Sequence, residues 1–356
     1  MGTGGQPTRG HQRLWAWPGF PRAAKPCYLW LPPAPWPQAS IVQDMDRGNA
    51  SSATDFLLAG LFPGSRHSLL LNAAVVLVYV LAFLGNALLI VLILGDARLH
   101  TPMYVLLSQL SLIDLTLTST IVPKMATNFF TGERGISWVG CGTQSFFFLL
   151  LGMSECLILT LMAYDRYVAV CNPLRYPAIM SPRFCLHMVA GCWVGGSASS
   201  LVHTVYPLHF PICGSREIQP FFCEVPVLIK LSCEDTSVYQ SVVVVTSVVL
   251  LVVPFGLITA SYTLIFLAVL RMSSVKGRRK VLATCSSHLT VVSLFFRPPK
   301  IFIYMSFTSS HSPEQDQALS VFSNVLTPML NPLIYSLRNK EVLAALRKLA
   351  GRCGAS

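Results

Sequence analysis

The twenty residues Met162–Ser181, MAYDRYVAVCNPLRYPAIMS, decide how the rest of the chain is read, because they set Asp165, Arg166 and Tyr167 at the end of a long apolar run. Charges at such a place sit where a membrane helix meets water. Cys141 lies 25 residues before Arg166, which at 1.5 Å per residue is roughly 38 Å of helix, a little more than a hydrocarbon core of about 30 Å. One helix therefore carries a cysteine near one face of a bilayer and an acid–base pair at the other. Glu155, in its middle, has to face protein and not lipid.

The composition agrees with a membrane reading. Of 356 residues, 53% are hydrophobic and 12% are charged, about half the charged share of an ordinary soluble domain. So few polar residues cannot coat so much apolar surface in water, and lipid is the natural solvent. The formal net charge of +11 raises nucleic acid as a partner. The basic residues, however, fall in short runs between apolar segments, so no nucleic-acid partner is expected.

Seven apolar segments extend outward from the opening stretch, at residues 69–94, 105–127, 141–164, 185–205, 237–268, 284–305 and 318–336. Most are near the length needed to cross a membrane. Arg98, then Arg166, Arg175 and Arg183, then Arg271 to Lys280, then Arg338, Lys340, Arg347 and Lys348 fall on one side, assigned to the cytoplasm by the positive-inside bias. The opposite loops hold fewer basic residues, mixed with Glu133, Glu217, Glu224, Glu234 and Asp235. The expectation is an all-α integral membrane protein, a seven-transmembrane helix bundle over residues 69–337, with its N-terminus outside and its C-terminus inside.

Residues 338–356 read as a cytoplasmic tail in which Val342, Leu343, Leu346 and Leu349 recur at helical spacing, a short amphipathic C-terminal helix lying on the inner leaflet. At the other end, residues 1–44 are rich in Pro and Trp and hold no apolar run long enough for a signal peptide. They read as a disordered, non-essential leader, or as untranslated sequence ahead of a working start at Met45. Residues 45–68 form an extracellular segment whose Asn49-Ala50-Ser51 is a glycosylation sequon.

Cys213, Cys223 and Cys233 recur every ten residues in the largest outward loop, and Cys141 stands at the outer end of the third span. Four thiols on the oxidising side invite two disulfides. Cys141 with Cys223 ties the loop centre to the helix and leaves Cys213 with Cys233 to close the loop on itself. A zinc site from the loop cysteines is the competing reading, although the spacing lacks the close pairs usual in such sites.

Several stretches together resemble the vertebrate odorant (olfactory) receptors, which are rhodopsin-like G-protein-coupled receptors. They are Gly85-Asn86, LHTPMY at Leu99–Tyr104, PKM at Pro123–Met125 and the opening stretch. Ser261-Tyr262, CSSH at Cys285–His288 and TPMLNPLIYSLRNKEV at Thr327–Val342 continue the series. The resemblance covers Asp46 to Leu349, and all the motifs in this order are very specific to the family.

That resemblance implies a fold, a partner and roles. Arg166 is held by Asp165 at rest and freed on activation to meet a heterotrimeric stimulatory G protein, with Tyr167, His288, Asn331, Pro332 and Tyr335 in the switch. A plain interfacial anchor is the alternative for Asp165 and Arg166. Asp114, Glu155, Asn86 and Asn331 match the polar centre where related receptors hold a sodium ion, and protonated carboxyls sharing hydrogen bonds are the other outcome. The pocket for a small volatile odorant falls in the outer halves of the third, fifth, sixth and seventh spans. Gln144, Phe148, Leu149, Gly152 and Met153 share one face of the third helix there, and Phe296 belongs to the sixth. Gln144 is the polar handle on that face, and no acid stands by to pair with a protonated amine.

One stretch departs from the family. Phe295-Phe296-Arg297-Pro298-Pro299-Lys300 replaces the usual aromatic pair and small residues, with Phe296 in place of a Tyr and one extra residue before Ile301. It reads either as an acid-binding pocket wall or as a damaged, poorly folding allele. A chemoreceptor acting in non-olfactory tissue also stays open. A transporter would show repeated halves, and a channel a polar pore ring. An enzyme would show an acid beside Ser286, Ser287 and His288. None of these is present, so the expectation is a plasma-membrane receptor, not an enzyme, with no cofactor beyond a structural Na⁺.

Overall fold

In the computed structural model, which describes residues 56–62, 65–213, 216–296 and 313–353, several of the long helices begin where a short side chain or a proline can stand in for missing backbone partners. The first, α1, is Ser68–Gly95. Helix α2, Pro102–Thr131, takes proline at its first position, where the absent N–H is no loss, and stops at Gly132 in the left-handed conformation, φ 76°. Helix α3, Trp138–Cys171, starts on Ser137, whose Oγ accepts from the Gly140 N–H at 3.1 Å. Helix α4, Pro182–Val205, starts on Ser181 in the same way at 3.3 Å.

Helix α5 is Ser237–Leu270, and α6, Val275–Phe295, is opened by Ser274 bonding the Gly277 N–H at 3.2 Å. Helix α7 is built from Pro313–Val321, a π turn at Phe322–Leu326 and Thr327–Arg338. Helix α8, Lys340–Cys353, closes the chain, with Asn339 Oδ1 accepting from the Glu341 N–H at 2.9 Å.

Five of these, α1 to α5, are by themselves long and apolar enough to cross a membrane. They present Leu, Val and Phe outward: Leu70 on α1 and Val245 on α5 are 69% and 62% exposed, a surface that only lipid would cover at this scale. Helix α3 is the axis of the bundle and packs on α2, α4, α5 and α6. Ile158, Leu159, Met162 and Ala163 on it have no exposed surface. Gly85 eases the close approach of α1 and α7, since an added Cβ would stand a tight 3.2 Å from the Pro332 ring.

On the outer side a small sheet joins three distant segments. Strand β1, Phe56–Leu58, lies between β2, Gly135–Ile136, antiparallel to it, and β3, Glu217–Ile218, parallel to it. Phe56 and Leu58 are fully buried, and Phe56 stacks on Trp138 at 5.5 Å. The Arg134–Glu217 ion pair, 2.6 Å, and the Arg134 Nε bond to the Leu58 carbonyl, 2.9 Å, lace the same three segments together.

The observed helices overrun the apolar segments by a few residues, because capped polar ends still wind as helix. Helix α8 departs further. Val342 and Ala345 are 1% and 4% exposed and join the core of the bundle, so part of its apolar face is held by protein and not by the leaflet. The leader, Asn49 and the stretch Arg297–Lys300 lie outside the described residues.

Candidate functional site

Helices α3, α5, α6 and α7, with one residue of α2, line a cavity of about 100 Å³. Helix α3 supplies Phe148, Leu149, Gly152 and Met153, and Cys156 one turn further on. Helix α5 brings Ser247, Leu250 and Leu251; Leu117, Phe295 and Asn324 come one each from α2, α6 and α7. Gly152 borders the space, since a Cβ built there would meet nothing within 4 Å. The wall is aliphatic, aromatic and thioether, which suits a small apolar occupant.

Two residues expected in this wall are elsewhere. Gln144 is spent on architecture: its Nε2 donates to the Thr120 carbonyl at 3.0 Å and its Oε1 accepts from the Cys223 N–H at 2.8 Å. With both ends of a buried amide satisfied, it is a brace for the outer loop and no handle for a ligand. Phe296 turns toward Phe255, 5.4 Å between ring centroids, and its neighbour Phe295 reaches the cavity.

The outer loop reaches the cavity wall. Cys141 is joined to Cys223 and Cys213 to Cys233, which disposes of the zinc arrangement. Beside Cys223, the fully buried Phe222 meets the pocket residue Phe148 at 5.1 Å, and the Ser145 hydroxyl donates to the Cys223 carbonyl at 3.2 Å. Next in sequence is Glu224, whose pKa is raised to about 7 by burial first and by Asp316 second.

Below the cavity is the polar centre. Asn331 Nδ2 donates to Asp114 Oδ2 at 2.9 Å, and Asn86 Nδ2 donates to the Pro328 carbonyl, also at 2.9 Å. Asn86 Oδ1 and Asn331 Oδ1 are buried acceptors with no hydrogen-bond partner among the described residues. Glu155 is buried on α3, 3% exposed. A carboxylate and unengaged amide oxygens are the kinds of oxygen donor that suit a hard monovalent cation. No group of three or more His, Cys, Asp or Glu that could hold a metal occurs among the described residues.

At the cytoplasmic end, Asp165 is fully buried and Arg166 reaches it with Nη2 at 2.6 Å and Nε at 3.0 Å. The other carboxylate oxygen accepts from the Tyr176 hydroxyl at 2.7 Å. Burial and the Asp165 carboxylate both push the Tyr176 phenol pKa up, so it stays a donor at physiological pH. Tyr167 packs between the apolar clusters around Val168 and around Ile265. His288 Nδ1 is 2.6 Å from the Tyr262 hydroxyl, and the hydroxyl of buried Tyr335 has no partner among the described residues.

The olfactory receptor family model matches residues 75–351, which takes in every one of these groups. The chain belongs to the olfactory receptor family. Human olfactory receptor 2L3 is 52% identical over 308 residues, 86% of this chain and 98% of that protein. Human olfactory receptor 2T27 is 51% identical over 312 residues, covering 88% and 98%. Mouse olfactory receptor 2V1 is 52% identical over 305 residues, covering 86% and 96%. As a member of this family the chain is a seven-helix, multi-pass plasma-membrane receptor and not an enzyme.

In this olfactory receptor, motif reading missed three groups that the fold brings in. Tyr176 stands in the opening stretch itself, eleven residues after Asp165, and a buried acid so near a tyrosine was the signal available. Asn324 and Ser247 reach the cavity from helices whose facing residues follow no legible period, the first because a π turn shifts the register around it.

Proposed function

We propose that this chain binds small volatile odorants in the cavity between α3, α5, α6 and α7 and passes occupancy to a heterotrimeric stimulatory G protein, raising cyclic AMP. The observation that carries the reading is the apolar cavity with Phe222 of the disulfide-tied loop packed on its wall residue Phe148.

The N-terminus faces outside and the C-terminus the cytoplasm, so the ligand and the G protein act on opposite ends of α3. At rest, Asp165 is shared by Arg166 and Tyr176, and occupancy shifts the population toward an arrangement in which Arg166 leaves that pair. His288 with Tyr262, and Tyr335 beside Pro332, are buried polar groups on α6, α5 and α7 whose rearrangement accompanies that shift. Asp114, Asn86, Asn331 and Glu155 are the residues that would hold a sodium ion. When bound, the ion supplies the charge that a buried carboxylate otherwise lacks.

The test is ligand-dependent cyclic AMP in transfected cells presented with a panel of volatiles, alongside Arg166→Ala. The proposal expects at least one volatile to raise cyclic AMP through this chain and the variant to be silent at equal surface amount. A response that survives in Arg166→Ala would contradict the coupling route.

A further inference from the structure

The cavity is polar at few points, and the points differ. Among the described residues that line it none carries a formal charge, and apart from the Cys156 thiol the polar side chains there are Ser247 on α5 and Asn324 on α7. Asn324 is 4% exposed. Yet no hydrogen bond joins its amide to another described residue. It sits within the π turn Phe322–Leu326, and such turns recur at functional sites.

A buried amide costs free energy unless it is hydrogen-bonded, so this one favours an occupant that bonds it. Asn324 can donate and accept, and so can the Ser247 hydroxyl. Together they complement a neutral oxygen: an alcohol, aldehyde, ketone or ester. A carboxylate or an ammonium group would find no counter-charge among the described lining residues. Size narrows the class further. An apolar cavity of about 150 Å³ takes benzene, so one of about 100 Å³ suits a compact molecule with a single polar group.

We infer that Asn324, assisted by Ser247, is the polar anchor of the cavity and selects small, uncharged, oxygen-bearing ligands over hydrocarbons, acids and amines of the same length. This rests on the cavity being the ligand site.

The test uses a matched five-carbon series, pentane, 1-pentanol, pentanal, 2-pentanone, pentanoate and pentylamine, on cells carrying the full chain and a cyclic AMP reporter, with surface staining in parallel. At least one neutral oxygenate is expected to act at a concentration at least tenfold below that of pentane, pentanoate or pentylamine. Asn324→Leu raises the effective concentration of that oxygenate about ten- to hundredfold and leaves pentane unchanged or improved. Ser247→Ala moves the same ratio in the same direction by less, and it carries the test if Asn324→Leu does not reach the surface.

An unchanged oxygenate-to-hydrocarbon ratio in these variants overturns the inference. So does preference for the acid or the amine, or silence toward every oxygenate from a chain displayed at the surface. Gly152→Phe separates the two levels. If it silences the oxygenates while Asn324→Leu and Ser247→Ala change nothing, the anchor fails and the cavity reading stands. If the oxygenates act equally on Gly152→Phe, the cavity reading fails and this inference with it.

Discussion

Gln144 holds the backbone of Cys223, its Oε1 accepting the Cys223 N–H at 2.8 Å while its Nε2 reaches the Thr120 carbonyl of α2 at 3.0 Å. One amide thus fixes the outer loop to two helices just above the cavity. Replacing it with Leu strands a buried donor and a buried acceptor, at about 1–3 kcal/mol each. The expected outcome for Gln144→Leu is a lower melting temperature of the purified receptor and less surface protein. The loss of response should be shared by all ligands, since the side chain touches none of them. A loss confined to one ligand class, with the melting temperature intact, would return Gln144 to the pocket.

Tyr176 makes the second of the two contacts that hold Asp165. A hydrogen bond to a charged group contributes about 1.5–3 kcal/mol. Tyr176→Phe should therefore weaken the resting arrangement and raise ligand-independent cyclic AMP roughly tenfold. Basal signalling measured at matched surface amounts checks this, and a basal level equal to that of the unaltered chain would contradict it.

Glu224 makes the outer loop sensitive to pH. Its pKa is raised from an ordinary 4.5 to about 7 by burial and by Asp316, so the folded receptor holds this proton more tightly than the unfolded chain does. Stability from this group is therefore greatest at low pH and falls as pH rises from about 4.5 to about 7. Hydrogen-exchange protection of residues 216–233 should be higher at pH 6 than at pH 8. Glu224→Gln should abolish that difference and protect the loop at both values. A loop equally protected at pH 6 and pH 8 in the unaltered receptor would refute the assignment.

The motifs LHTPMY and LRNKEV form a single contact. The Tyr104 hydroxyl donates to Glu341 Oε2 at 2.6 Å and lies 2.8 Å from the Nδ2 of Asn339, the residue that caps α8. Lys348, further along α8, reaches Asp96 at 3.6 Å, and Arg98 holds the Asp96 carboxyl well below the usual carboxylate range. Losing a helix cap costs about 0.5–2 kcal/mol. In Asn339→Ala, amides of residues 340–350 should exchange faster while those of α3 do not change. Unaltered exchange in α8 would count against the contact.

Much of the fold was legible because membrane helices leave two strong signals, apolar length and the side on which Lys and Arg collect. All seven segments coincide with helix wherever residues are described, save for Phe296, the turn residue that ends α6. The sequence was less informative where a side chain's partner lies far along the chain. Gln144 looked like a pocket residue because it shares a face with Phe148 and Met153, and nothing local reveals that residue 223 claims it. Strand β1 was invisible for the same reason: three residues, Phe56–Leu58, carry no period, and they become a strand only because residues 134–136 and 216–218 offer two edges. The amphipathic helix α8 was legible from its spacing, but that pattern alone does not say which of its apolar residues, such as Val342 and Ala345, pack on the bundle.

The central claim is that occupancy of the cavity between α3, α5, α6 and α7 is what the cytoplasmic end responds to. Its most direct test is the cyclic AMP response of Gly152→Phe to whichever volatile activates the unaltered chain. The space beside Gly152 takes a Cβ without meeting another atom within 4 Å, so the ring should fill the cavity without unfolding the bundle. The account predicts normal surface display and no response to the volatile. A response of undiminished size and potency from the filled receptor would contradict it.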